Sequence, residues 1–268
     1  MTNNVTQIKS VVNAQKPVTI PELIEQNIDK LAMVLPKGMD AKRIARIALT
    51  NLRTNPKLAE CTPASFVSAL FQSAQLGLEP GIEGQAYLIP YENSKLKNGT
   101  WQKVKEVQFQ IGYKGLVELY YRHPHSSTLT IEKVCENDTF EVDLGTSQTI
   151  KHIPVFKNRG EAICYYAVAT LNDGNKIVKV MSLEECLEHG KKHSKGFNRS
   201  DSNWVKERDA MCKKTVLIQL MKVLPKSIDM QKALAMDCTT KSRVGTDMFE
   251  VPDETNWNDT ENKGETNE

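Results

Sequence analysis

The spacing of apolar residues changes twice along this 268-residue chain, and that change constrains the fold more than any other feature. Up to Leu76 apolar side chains recur every three or four positions, as on helix faces. Between Ala86 and Met181 they alternate or form short runs, as in strands, and from Leu187 to Leu224 the helical spacing returns. Helices, then sheet, then helices reads as an α+β fold: N-terminal helices, a central antiparallel sheet with hairpins, and C-terminal helices.

Local signals place the elements. Thr19 and Glu22 form a capping box, with Pro21 in the first turn where its missing N–H costs nothing. Leu23, Ile24, Ile28, Leu31 and Leu35 follow at helical spacing until Pro36-Lys37-Gly38. Asp40 caps a second helix with Ile44, Ile47, Ala48 and Leu52 inward and Lys42, Arg46 and Arg53 outward. Thr62-Pro63 opens a third helix that is apolar or small on most faces, hence buried, and Gly77 stops it. Strands are expected over Ala86–Tyr91 and Val107–Ile111, joined by a long basic connection in which Asn98-Gly99 suits a type I′ turn. A short helix over Gly115–Arg122 precedes strands over Thr128–Val134, Ala162–Leu171 and Lys176–Met181, the last two joined at Asp173-Gly174. Ser182 and Glu185 form another capping box, a basic loop runs from Lys191 to Asn203, and one long helix extends from Trp204 to Leu224. Composition divides the chain into a disordered arm (1–18), one α+β domain (19–236) and a disordered acidic tail (237–268).

Charge is partitioned. From Thr246 onward eight acidic residues face Lys263 alone, so the tail carries −7 and the preceding body +9. A positive body suits a polyanionic partner. No apolar run approaches the roughly 18 residues that span a bilayer, and the polar start has no secretory pattern, so a cytoplasmic chain is expected. Cys61, Cys135, Cys164, Cys186, Cys212 and Cys238 are widely spaced, without a CxxC pair, and read as reduced core thiols rather than metal ligands.

Several short segments occur together in a fixed order: Ser68-Ala69-Leu70, Leu76-Gly77-Leu78-Glu79-Pro80, Gly84-Gln85-Ala86-Tyr87-Leu88-Ile89-Pro90-Tyr91 and Gln108-Phe109-Gln110-Ile111-Gly112-Tyr113-Lys114-Gly115-Leu116. Tyr121-Arg122, Asp138-Thr139-Phe140, His152-Ile153-Pro154 and Trp204 through Met211-Cys212-Lys213-Lys214-Thr215 complete the set. In these segments, over roughly residues 20 to 226, the chain resembles the RecT family of phage recombination annealing proteins. It departs at His123-Pro124-His125-Ser126, where the family has a small residue and glycine. The resemblance implies single-strand annealing in the bacterial host cytoplasm, assembly into rings or helical filaments, and a partner exonuclease that supplies the single strand. A host single-strand binding protein is a further expected partner.

Strand binding without sequence preference needs cations for phosphates and flat or amide groups for bases. Two segments offer them. The first holds Lys95, Lys97, Lys103 and Lys105 on the hairpin connection, with Gln108, Gln110, Tyr113, Lys114 and Arg122. Alternation turns Val107, Phe109 and Ile111 to one face and Gln108 and Gln110 to the other, and Gly112 and Gly115 would let the backbone approach a phosphate. The second holds Lys191, Lys192, Lys195, Asn198 and Arg199, then Lys206, Arg208, Lys213, Lys214 and Lys222 on the long helix. Lys206 and Lys213, seven apart, are expected on one helix face with Lys214 beside them. Trp204 is better read as a buried anchor than as a base-stacking platform.

Enzymatic alternatives find less support. No GxxxxGK[ST] occurs, which disfavours a nucleotide-hydrolysing strand exchanger, and the glycine-rich Gly77–Gly84 stretch lacks the lysine. His189 and His193 have zinc-helix spacing without the accompanying Glu. For a metal-dependent nuclease, Glu132, Glu136 and Asp138 are the central carboxylates, each readable as solvated at a loop or strand edge. No cofactor is expected. A passive strand-protecting protein stands as a further alternative.

Overall fold

A computed structural model describes residues 18–254, apart from positions 98, 147, 195, 226 and 246 and the side chain of Lys97. The arm before Val18, the chain after Glu254, Asn98 of the expected turn and Lys195 therefore lie outside the described residues.

The N-terminal helices start where their caps dictate. The Thr19 N–H donates to Glu22 Oε2 at 2.8 Å at the head of α1 (Ile20–Gln26), and Asp40 accepts from the Lys42 N–H at the head of α3 (Ala41–Thr54). Between them, Asn27 ends α1 and starts α2 (Ile28–Val34) where one continuous helix was expected. Its side-chain amide donates to the Leu23 carbonyl at 2.8 Å, drawing on a helix acceptor, and its φ of −112° leaves the helical region. A 3₁₀ turn over Pro56–Glu60 leads to α4 (Pro63–Gln75), buried along almost its whole length. Gly77, at φ +61°, closes α4: its N–H reaches the Ala74 carbonyl and the Leu78 N–H the Ser73 carbonyl, the paired bonds of a Schellman cap.

Strands β1 (Ala86–Lys97) and β2 (Thr100–Ile111) pair antiparallel from Ala86↔Ile111 to Lys97↔Thr100. The expected basic connection is thus part of the ladder, a hairpin about 40 Å long at 3.4 Å per residue. Helix α5 (Tyr113–Tyr121) follows, then β3 (Ser126–Cys135), the short pair β4 (Thr139–Asp143) and β5 (Thr149–Ile153), and β6 (Ala162–Leu171) and β7 (Lys176–Ser182). The expected single sheet is three separate antiparallel ladders: β1–β2, β3–β6–β7 and β4–β5. At the atypical His123–Ser126 segment the chain turns, with the Ser126 N–H bonded to the His123 carbonyl.

The C-terminal helices are α6 (Leu183–His193), α7 (Asn203–Lys206), α8 (Arg208–Val223) and α9 (Ile228–Met236). The long helix expected from Trp204 is broken at Glu207, whose φ of −131° and ψ of 49° lie outside the helical region. Helix α8 packs across β6, β7 and β3, and one continuous core joins the N-terminal helices to both larger ladders.

The greatest difference from the sequence reading is residues 237–254. Assigned to an unfolded acidic tail, they form a strap along α4 and β2. The Phe109 N–H bonds to the Thr239 carbonyl, the Ile111 N–H to Asp237 Oδ1, and Met248 is fully buried. Ser68, Gln72 and Gln75, on one face of α4, bond to the Arg243 carbonyl, Thr239 Oγ1 and Asp247 Oδ1 at 2.8, 2.7 and 2.6 Å. A buried helix with a polar stripe needs a polar cover, and the strap supplies it. Lys241, buried, donates to the carbonyls of Met248 and Val251, and burial lowers its pKa.

Candidate nucleic-acid interface

Alternation along the hairpin decides which side chains share a surface. Tyr87, Tyr91, Asn93 and Lys95 lie on one face with Gln108 and Gln110; Leu88, Glu92 and Leu96 lie on the other with Phe109, Lys105, Lys103 and Trp101. Lys95 is therefore on one face of the hairpin and Lys103 and Lys105 are on the other.

Most of them are also occupied. Lys95 bridges Glu106 at 2.6 Å and Glu254 at 2.5 Å; burial opposes its charge, yet these two carboxylates raise its pKa. Lys103 pairs with Glu92 at 2.7 Å and Lys105 with Glu60. Gln108 is buried beneath the strap, donating to the Cys238 carbonyl at 2.8 Å and accepting from Gln110. Arg122 donates to the carbonyls of Leu76 and Gly77 at 2.6 and 2.9 Å, closing the end of α4. The two glycines admit the chain's own backbone: a Cβ on Gly112 would lie 1.8 Å from the Gly84 carbonyl oxygen, and one on Gly115 2.1 Å from that of Gln85. Gln108, Arg122 and both glycines thus serve the fold, whereas Lys114 is exposed and Tyr113 half-buried, with burial raising the phenol's pKa.

The second segment differs. Lys191 and Lys192 project from the last turn of α6, and Lys206 and Lys222 are exposed on α7 and α8, with Lys214 half-buried on α8. Among the described residues these five form no ion pair. Arg199 pairs with Asp201, Arg208 with Glu161 at 3.6 Å, and Lys213 with Glu132 at 2.9 Å; Asn198 is exposed. The break at Glu207 removes the helical register expected between Lys206 and Lys213. Trp204 is buried against Phe197, with ring centroids 5.2 Å apart, and against Gly190, as the anchor reading held.

The two segments share an electrostatic neighbour in Tyr91. Burial raises its phenol pKa, and Arg199 and Lys214 act in the opposite sense, so both cations lie within electrostatic reach of the hairpin's Gln110-bearing face. Sequence reasoning passed over Tyr91, whose only signal was its place on that face. Lys192 and Lys222 act similarly on the His189–His193 pair, whose rings lie 4.4 Å apart. Burial first, then His193 and these lysines, press His189 down to about 4, leaving a neutral imidazole beside Gln219 at neutral pH.

The central carboxylates do not gather as a metal site; among the described residues no cluster of three or more His, Cys, Asp or Glu could hold an ion. Asp138 is not a solvated strand-edge carboxylate. It is buried and accepts from Arg159, the Cys135 and Val155 N–H groups and His152, while His152 Nδ1 lies 3.1 Å from the Tyr166 hydroxyl. The Arg159 guanidinium above all holds its carboxyl far below the usual range. Asp138 thus latches β4–β5 to β6.

The fold and site define a mixed α+β protein with antiparallel ladders and a set of lysines on α6–α8 that meet no carboxylate among the described residues. The chain belongs to the RecT family, whose sequence model matches residues 42–250. It is 39% identical to Protein RecT of Escherichia coli (strain K12) over 210 residues, spanning 78% of this chain and 76% of that one. It is 27% identical to protein YqaK of Bacillus subtilis (strain 168) over 214 residues, 77% of this chain and 68% of the relative.

Proposed function

We propose that this chain binds single-stranded DNA along the surface between the Tyr91 face of the hairpin and the α6–α8 cations, and anneals complementary strands during phage-type recombination without nucleotide hydrolysis. The five lysines of α6–α8 that meet no carboxylate among the described residues, in a chain of the RecT family, carry the reading. Lys191, Lys192, Lys206, Lys214 and Lys222 are free to exchange counterions for phosphates, while Tyr91 and Gln110 offer an aromatic ring and an amide to bases. A strand held by its backbone keeps its base edges open to a second strand, and each correct step then adds stacking of about 1.4 kcal/mol. That suffices to select homology over several nucleotides with no bond chemistry. The absence of a GxxxxGK[ST] sequence supports independence from ATP. Further copies of the chain, an exonuclease and a host single-strand binding protein are the partners of this reading, in the host cytoplasm.

Two complementary labelled oligonucleotides mixed with the protein, without ATP and with chelator, test it by energy transfer. The expected result is pairing faster than without protein, with both strands intact. Binding without acceleration would reduce the protein to passive strand protection, and magnesium-dependent strand loss would replace annealing by nuclease action.

A further inference from the structure

Three side chains on the Tyr91 face of the hairpin form a hydrogen-bonded series that starts in the strap. Asp237 Oδ1 accepts from the Ile111 N–H at 2.7 Å and the Thr239 carbonyl from the Phe109 N–H at 3.0 Å, which anchors the strap to β2 on both sides of Cys238. Cys238 itself lies in the left-handed region, at φ +59°, where a residue other than glycine is strained and is held by its surroundings. Its carbonyl accepts from Gln108 Nε2 at 2.8 Å, and Gln108 Oε1 accepts from Gln110 Nε2 at 2.8 Å. The Tyr91 hydroxyl oxygen accepts from the same Gln110 nitrogen at 3.4 Å. Gln108 is 4% exposed, whereas Gln110 and Tyr91 are half-buried.

We propose that the strap sets the hydrogen-bonding polarity of this face, with Cys238 and Gln108 as positioning residues, and that the face prefers bases with an amino group on the major-groove edge. The inference rests on the reading that the face binds single-stranded DNA. A backbone carbonyl only accepts, so Cys238 obliges Gln108 to turn its NH2 group toward the strap. Gln108 then shows Gln110 an oxygen, and Gln110 answers with its own NH2 group. Each amide alone could adopt either orientation; the series fixes both. The Gln110 NH2 group is engaged by Gln108 and Tyr91, and among the described residues its Oε1 accepts from no donor. The face therefore offers a base an acceptor. Cytosine and adenine present an amino donor on the major-groove edge, where thymine presents an acceptor. One amino hydrogen remains available there within a base pair, so the contact is compatible with annealing. Tyr91 accepts from Gln110 and keeps its O–H hydrogen for a phosphate oxygen; burial raises the phenol's pKa, which holds that hydrogen in place.

Fluorescence anisotropy of the full chain with three labelled strands at mildly alkaline pH tests this: oligo-dC, oligo-dT, and an oligo-dC whose amino hydrogens are both replaced by methyl groups. The wild type should bind oligo-dC about fivefold more tightly than either of the others, the contribution of one hydrogen bond. Gln110→Leu should level the three. Gln108→Met should level them as well, because the released Gln110 amide can turn either way, and the double variant should change the preference no further than either single one. Cys238→Gly keeps the carbonyl and suits the left-handed backbone, so it should retain the preference. Tyr91→Phe keeps the ring and should weaken all three strands alike, since phosphate is common to them. Circular dichroism checks each fold, and Gln110→Leu carries the test alone if Gln108→Met does not fold. Equal binding of the three by the wild type, a preference for oligo-dT, or an oligo-dC preference that survives Gln110→Leu overturns the polarity while leaving strand binding standing. Binding indifferent to both Gln110→Leu and Tyr91→Phe moves the strand off this face and overturns the reading beneath the inference, as does a wild type that binds none of the three.

Discussion

The hairpin and the α6–α8 region are both lysine-rich, yet the fold treats their charges in opposite ways. On the hairpin, Lys95, Lys103 and Lys105 each meet a carboxylate of the same chain, drawn from β1 and β2, the 3₁₀ turn and the strap. Across α6–α8, five lysines meet none among the described residues, although Asp201, Glu207 and Asp209 stand in the same stretch. A local charge count measures neither state, because a cation's availability depends on partners distant in sequence. The hairpin lysines contribute to shape, and those of α6–α8 contribute potential. Only the second kind changes a salt dependence when removed.

Stability separates the two sets most sharply at Lys95. Lys95→Met leaves Glu106, 2% exposed, with Asn93 as its remaining partner, and breaking such a buried pair costs about 3 kcal/mol. Chemical denaturation should register that loss; an unchanged midpoint would return Lys95 to the surface set. Arg122→Ala should cost about 2 kcal/mol through its charged bonds to the α4 carbonyls, with DNA affinity per folded molecule unchanged. Reduced affinity at full stability would put Arg122 back on the DNA.

The strap adds a pH dependence. Burial raises the Asp247 pKa, but bonds from Gln75, Lys232 and the Phe249 N–H outweigh it and bring it down to about 2. Its folded value lies below the ordinary carboxylate value of 3.8, so this stabilisation is complete above that pH and disappears as pH falls toward about 2. Thermal unfolding of Asp247→Asn should vary less between pH 4 and 2 than that of the wild type; parallel curves would exclude the strap contact as the source. The smallest effect is expected from Lys103→Ala with Lys105→Ala, whose pairs are solvent-exposed and should leave the melting temperature nearly unchanged. A clear drop would mean that these pairs hold the hairpin.

Much of the fold was legible because its signals are local. The caps at Thr19, Asp40 and Ser182 and the alternation on β2 each act within a few residues. The break at Asn27 depends on a side chain choosing a carbonyl over solvent, which periodicity does not register. The strap was missed because composition treats Asp247 and Glu254 as solvated, whereas Gln75 with Lys232 and Lys95 with Ser242 hold them in place. A signal existed in the polar stripe Ser68, Gln72 and Gln75 on a helix otherwise fit for burial. For the candidate site, the residue types were legible and their pairing was not. Lys105 and Glu60 are 45 positions apart, and Lys95 and Glu254 are 159 apart.

The salt dependence of oligo-dT binding tests the contrast most directly, comparing Lys206→Ala with Lys214→Ala and Lys222→Ala against Lys103→Ala with Lys105→Ala. Each phosphate contact on a single strand contributes about 0.7 to the slope of log K against log salt. The triple variant should therefore lose about 2 from the slope, and the hairpin pair almost nothing. Equal losses, or a larger one from the hairpin pair, would contradict the assignment of DNA contact to the α6–α8 cations.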